Sequence, residues 1–95
     1  MSAYVVFIRK SITNPEEMAT YARMAKEARG DHPIKPLAFY GDLTVLEGDN
    51  AEGAVILEFP NIEAAKRWYH SDAYQAAKQH RNLGADYQVL MIQGA

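Results

Sequence analysis

The chain has 95 residues, of which 48% are hydrophobic and 23% charged, and its formal net charge is −2. This length suits one domain, residues 1–95, and the interleaving of basic with acidic residues argues against a nucleic-acid or anionic-membrane surface, since both need clustered positive charge. The absence of cysteine excludes disulfides, thiolate catalysis and cysteine-ligated metal sites.

The chain begins with a predicted strand and a predicted helix. Residues 3–9 are rich in β-branched and aromatic side chains, which is typical of a strand. Asn14 can cap a helix that begins at Pro15, and Glu17 stands where the carboxylate of a capping box reaches back to the cap. Apolar residues at helical spacing follow until Gly30, which is placed to end the helix.

A second strand and a hairpin are predicted next. Residues 37–47 have strand character, and Gly41 near the middle predicts a bulge or kink. The segment 47–53 is rich in glycine, aspartate and asparagine, which favours a turn. A third strand over 54–59 should therefore return antiparallel to the second.

Helical segments and a final strand complete the pattern. Asn61 can cap a second helix over 62–69, and a short helical segment over 71–81 follows, with Gly84 placed to end it. Residues 86–93 predict a fourth strand. The order βαββαβ predicts an α+β, ferredoxin-like fold: a four-stranded antiparallel sheet with the helices on one face.

Both faces of this predicted sheet are apolar. In the first strand Tyr4, Val6 and Ile8 point to one side, whereas Val5 and Phe7 point to the other. Helices can cover one side alone, and an exposed apolar sheet would form a large aggregation-prone patch. Burial of several hundred Å² at roughly 25 cal/mol per Å² favours pairing with a second copy. The pattern therefore predicts a homodimer.

Several segments of the chain resemble a known family. They are His32-Pro33, residues 37–41, 45–49, 55–60, 64–69 and 71–74, and Arg81. Together they resemble the bacterial domain-of-unknown-function family numbered 1330, within the dimeric α/β-barrel superfamily. The resemblance implies a homodimer whose two sheets form a barrel, with a pocket between sheet and helices in each subunit. It implies no reaction, although the superfamily includes cofactor-free monooxygenases, haem-degrading oxygenases, lactone isomerases and stress-response dimers. We predict no cofactor.

Four residues are candidates for catalysis. Glu58 points to the opposite side of its strand from Phe59 and would face the barrel interior. An apolar environment there would raise its pKa and suit it to act as a general base. Alternatively, Glu58 is a solvated carboxylate at the rim. His80 could transfer a proton, and Arg81 could bind a carboxylate or enolate. Alternatively, both residues stabilise the dipole of a helix C-terminus. His32 could line the pocket mouth or simply bond to backbone.

Four tyrosines are candidates for ligand binding. Tyr74 shares a helix face with Arg81 because the two are separated by seven residues. Tyr21, Tyr40 and Tyr69 could also offer phenolic donors to a ligand, although all four could equally serve as core residues with a hydroxyl at the edge. We interpret Trp68 as a packing residue.

The remaining predictions concern metals, location and overall role. His32, His70 and His80 lack the i, i+4 spacing of a helical metal pair, so no metal site is predicted. No apolar stretch is long enough to span a bilayer, and we expect a cytoplasmic protein without membrane or nucleic-acid partners. Two roles stay open. In the first, a homodimer binds a small apolar or acidic molecule, with or without cofactor-free proton transfer or oxygenation. In the second, a non-enzymatic dimer with a filled cavity serves in stress response or as an accessory module.

Overall fold

Four strands and three helices form the fold in a computed structural model that describes all of residues 1–95. Their bounds are β1 Ala3–Ile12, α1 Pro15–Arg29, β2 Lys35–Phe39, β3 Gly53–Phe59, α2 Ile62–Tyr69, α3 Asp72–Gly84 and β4 Ala85–Gln93. The strands form one antiparallel sheet in the order β2-β3-β1-β4, and the predicted ferredoxin-like fold is confirmed. No helix combines the length and the apolar character that crossing a membrane requires.

Helix α1 begins and ends where the sequence predicts. The Asn14 side chain accepts hydrogen bonds from the Glu16 and Glu17 N–H groups at 3.1 and 3.3 Å, and Gly30 ends the helix with a φ of +46°. The predicted capping box is wrong, because the Glu17 carboxylate contacts His80 instead. In a capping box the Glu17 carboxylate would accept a hydrogen bond from the Asn14 N–H. That N–H donates instead to the carbonyl of Gly84, at the end of α3, at 3.0 Å.

The second strand is shorter than predicted, and the prediction over 37–47 is wrong. β2 ends at Phe39 because Tyr40 has a φ of +51°, a left-handed conformation that does not continue a strand. Residues 41–52 then reach β3 without helix or strand. Their β-prone side chains find no neighbour to pair with, since β3 begins only at Gly53.

The chain bends at Tyr40, next to the bulge or kink predicted at Gly41, but there is no bulge at Gly41 itself. The irregularity in the pairing of β2 with β3 lies between Pro36 and Ala38. Proline has no N–H to contribute to a ladder, and it is tolerated here because β2 is an edge strand of the sheet.

The two faces of the sheet differ in what covers them. Val5 and Phe7 lie under the helices and are 0% and 4% exposed, as their parity predicts. On the other face no helix packs, and Leu90 and Ile92 remain 46% and 60% exposed. Trp68 from α2 is buried against Phe7 and Phe59, which confirms the packing interpretation.

Candidate functional site

A cavity of about 590 Å³ lies between α1 and the helix-covered face of the sheet. Twelve of its seventeen lining residues are hydrophobic. Helix α1 contributes Met18 and Ala25, the sheet contributes Phe7 and Leu57, and α2 contributes Trp68. The side chains of this chain leave the cavity unfilled.

The charged groups around this cavity are all basic. Arg9, Lys26 and Arg29 line it, and none of the seventeen lining residues is aspartate or glutamate. A positive charge beside an apolar wall attracts an anion more strongly than it would in open water, because the local dielectric is lower. The arrangement therefore favours an apolar molecule that carries a negative charge.

Arg9 is placed in the cavity by strand parity. It follows Val5 and Phe7 on the helix-covered face of β1, and its guanidinium lies 4.5 Å from the centre of the Tyr40 ring. Its Nε also donates to Glu52 at 3.0 Å, outside the set of lining residues. Burial alone would lower the pKa of Arg9, but the neighbouring Tyr87, Tyr40 and Glu52 side chains outweigh that effect and raise it.

Two pairs of phenols stand at the cavity wall. The hydroxyls of Tyr21 and Tyr74 are 2.8 Å apart, and those of Tyr40 and Tyr87 are 2.5 Å apart. Tyr21 and Tyr40 line the cavity, whereas their partners lie behind them. Each pair therefore joins a tyrosine that lines the cavity to one that does not.

Burial raises the pKa of three of these phenols above the ordinary tyrosine value. It raises the pKa of Tyr74 to about 12, although the positive charge of Arg81 opposes the rise. Burial also raises the pKa of Tyr21 and of Tyr40, and the phenol partner of each adds to the increase. At neutral pH these hydroxyls are protonated, so they can donate hydrogen bonds.

Arg81 is a buried cation without an anionic partner. It is 4% exposed and takes part in none of the three ion pairs of the chain. Its guanidinium lies 5.7, 5.9 and 5.3 Å from the ring centres of Phe7, Tyr21 and Tyr87, and its Nε has no hydrogen-bond partner. These ring faces offset part of the cost of burying the charge. The result is a positive potential directly behind the phenols.

The predicted ligand-binding residues divide between the cavity wall and its support. Tyr21 and Tyr40 line the cavity, and Tyr74 and Arg81 stand behind it. Tyr74, Ala77 and Arg81 are all buried on one face of α3, as their spacing predicts. Tyr69 packs against Trp68 and Tyr74 and does not line the cavity.

The other three catalytic candidates lie outside the cavity. The His80 Nδ1 contacts the Glu17 carboxylate at 2.6 Å, between α3 and α1. Glu58 projects from the face opposite Phe59, and both Glu58 and His32 line an open groove at the edge of the sheet. The structure therefore does not bring these three together with the phenols.

Sequence reasoning missed Arg9 and Tyr87. Both were recognisable in principle, because Arg9 has the parity of Phe7 and Tyr87 has the parity of Val89 and Met91, all on the helix-covered face. An arginine that alternates with apolar residues on the helix-covered side of a strand indicates a functional site. Their contact could not be predicted, since it depends on the register of β1 with β4, in which Arg9 is paired with Tyr87.

Comparison with known proteins identifies the family. No curated protein sequence matches the chain. The family model described as a domain of unknown function, DUF1330, matches residues 2–95. The chain belongs to this family.

Solved structures similar to this DUF1330 chain share its fold at low sequence identity. RPA0582 of Rhodopseudomonas palustris, a protein of unknown function, has 17% identity and a TM-score of 0.74 over 99% of this chain and 82% of that one. SnoaB of Streptomyces nogalater, a cofactor-independent oxygenase, has 11% identity and a TM-score of 0.66 over 99% and 92%. A dimeric ferredoxin-like protein of unknown function from Thermobifida fusca has 12% identity and a TM-score of 0.68 over 99% and 92%.

Proposed function

We propose that this protein binds a small, mostly apolar, acidic molecule in the cavity between α1 and the sheet. The observation that carries the proposal is the cavity itself, with a volume of about 590 Å³, a largely hydrophobic lining and only basic charged groups. Small-molecule sites are typically concave, mostly apolar and provided with a few well-placed polar groups. Arg9 and the Tyr21 and Tyr40 hydroxyls supply those groups here.

Under this proposal, any reaction in the cavity is cofactor-free proton transfer or oxygenation. SnoaB, which shares the fold, is described as a cofactor-independent oxygenase. The neutral phenols of Tyr21 and Tyr40 are suited to donate to a ligand oxygen, and the charges of Arg9 and Arg81 would stabilise a negative charge that develops there. Glu58, His80 and His32 remain candidates that substitution must test.

A calorimetric titration with charge-matched probes tests the binding proposal. We expect 2-naphthoate to bind and to raise the melting temperature, and we expect 2-naphthylmethylamine, which has a similar shape and the opposite charge, to bind at least ~10-fold more weakly. Equal affinity for the two probes, or no binding of either one by a folded protein, contradicts the proposal.

We also propose that the protein works as a homodimer joined through the sheet face that no helix covers. Leu90 and Ile92 are exposed on this face, and Val6, Ile8 and Ile56 adjoin them half-buried. The Thermobifida fusca neighbour is described as dimeric. Covering such a face removes apolar surface from water at roughly 25 cal/mol per Å² before the costs of association.

A further inference from the structure

We propose that Arg81, which does not line the cavity, is the residue that makes the cavity select a negatively charged ligand, and that this ligand supplies the counter-charge that the protein does not provide. The inference rests on the proposed binding function and identifies which of the nearby cations sets the charge of the ligand. Arg81 is in this account a specificity-determining residue that acts through the wall of the cavity.

The cations that line the cavity are weakened in two ways. Lys26 and Arg29 are exposed, so water and dissolved salt screen their charges. Arg9 is bound to the carboxylate of Glu52 at 3.0 Å, and this opposite charge cancels much of its field at a distance. The three lining cations therefore distinguish an anion from a neutral molecule only weakly.

Neither effect weakens the charge of Arg81. The residue is 4% exposed, so solvent screens it little, and it forms none of the ion pairs of the chain. Its Nε is also buried without a hydrogen-bond partner. A dry, unpaired charge acts over a longer distance than an exposed one, because the dielectric around it is lower.

Arg81 packs against two residues that line the cavity. Its guanidinium carbon lies 5.7 Å from the centre of the Phe7 ring and 5.9 Å from the centre of the Tyr21 ring. A ligand that contacts either ring is therefore separated from the guanidinium by a single side chain. At this separation an anion in the cavity and the buried cation attract each other through the interior of the protein.

The ligand-free protein bears the cost of this buried charge. The faces of the surrounding aromatic rings offset only part of the free energy that is lost when Arg81 leaves water. An anion in the cavity reduces the remaining cost, whereas a neutral molecule of the same shape does not. The preference for an acid over its neutral isostere therefore measures the contribution of Arg81.

Calorimetry on two substitutions of Arg81 tests this assignment. The measured quantity is the ratio of the affinities for 2-naphthoate and for 2-naphthamide, a neutral molecule of nearly the same shape. We expect Arg81→Met to lower this ratio by about tenfold, and Arg81→Lys, which keeps the charge, to hold it within about threefold of wild type. The affinity for 2-naphthamide should change by no more than about twofold, since the apolar wall is retained.

Lys78→Met is the matched control. Lys78 also lies on α3, and its Nζ is 5.5 Å from the centre of the Tyr69 ring, but neither residue lines the cavity. The control therefore removes the same charge and the same kind of ring contact at another place. We expect the affinity ratio to stay at the wild-type value. A loss equal to that of Arg81→Met would show that overall charge sets the ratio, and it overturns the inference.

The salt dependence of the wild type keeps the test independent of variant folding. If a buried charge selects the anion, the affinity ratio should fall by less than about threefold when sodium chloride is raised from about 20 mM to about 500 mM. If exposed cations such as Lys26 and Arg29 select it, screening should bring the ratio close to one. A ratio that collapses in this way overturns the inference.

The outcomes separate this inference from the binding proposal. If the wild type prefers 2-naphthoate and a folded Arg81→Met variant keeps the same preference, the inference is overturned and the binding proposal stands. If the wild type binds neither probe, or binds both equally well, the inference and the proposal of an acidic ligand are overturned together.

Discussion

At the scale of single residues, burial extends the pH range over which the phenols of Tyr21, Tyr40 and Tyr74 stay neutral. The pKa of each is raised above that of an unfolded chain, to about 12 for Tyr74. The folded protein therefore binds these protons more tightly than the unfolded chain does. The corresponding stability is fully present below pH 10 and is lost as the pH rises through the folded-state pKa.

An alkaline titration checks this linkage. Of the six tyrosines, we expect at least three to remain protonated at about pH 11 and to ionise only as the protein unfolds. Absorbance at 295 nm counts the tyrosinates, and circular dichroism follows the fold in the same samples. Ionisation of all six near pH 10 in a protein with native circular dichroism would contradict the expected order.

His80 gives a second prediction at this scale. Its contact with Glu17 joins two side chains that are each about one-third exposed, and neither of them lines the cavity. We expect His80→Ala to lower the free energy of unfolding by about 1 kcal/mol or less, and to leave 2-naphthoate affinity unchanged. Urea denaturation and calorimetry measure the two quantities. A tenfold loss of 2-naphthoate affinity in a stably folded variant would show that His80 contributes to ligand binding.

At the scale of elements, the close approach of β3 to Tyr40 positions one side of the cavity. A Cβ atom at Gly53 would lie 2.8 Å from the Tyr40 Cδ1 and 3.2 Å from the Arg9 Nη2. A real Cβ does not come this close to a ring atom, so any larger residue at Gly53 must displace the Tyr40 ring. The Tyr40 hydroxyl would then separate from Tyr87.

Gly53→Ala should therefore damage stability and binding together. We expect it to cost about 1–3 kcal/mol of unfolding free energy, the usual range for overpacking, and to weaken 2-naphthoate binding. Gly41→Ala is the matched control, because a Cβ there meets nothing within 4 Å. If both variants behave alike in urea denaturation and calorimetry, Gly53 does not set the position of Tyr40.

The sequence predicts the helices and strands that local signals define. The prediction fails where contacts between distant segments decide whether a strand forms. The caps Asn14 and Asn61 and the terminator Gly30 are such local signals, and all three act as predicted. Residues 37–47 carry strand-like side chains, but whether they form a strand depends on a partner, and β3 pairs with only part of them.

The candidate site shows the same division. Tyr21, Tyr74 and Arg81 could be proposed from residue type and helical spacing. Their grouping with Arg9 could not, since it depends on the register of β1 and on the packing of α1 over the sheet. Glu58 was given the correct parity, but that parity takes it away from the cavity under the helices.

At the scale of the whole molecule, the uncovered sheet face tests the proposed homodimer. We expect sedimentation velocity to find a dimer at micromolar concentration, and Ile56→Lys to weaken association by about 100-fold, because an unpaired charge would be buried at the centre of the interface. Ala76→Lys adds the same charge to an exposed position on α3 and should leave the dimer intact. A monomeric wild type, or an intact Ile56→Lys dimer, contradicts the proposed interface.

The central claim is that the cavity under α1 accepts an apolar anion, and the fluorescence of Trp68 tests it most directly. This residue is the one tryptophan of the chain, is 3% exposed and lines the cavity. We predict that 4-nitrobenzoate quenches its emission along a saturating curve, whereas 4-nitrobenzylamine at the same concentrations produces only weak, linear quenching. If the acid also quenches linearly, or leaves the emission unchanged, the cavity is not the site of an acidic ligand.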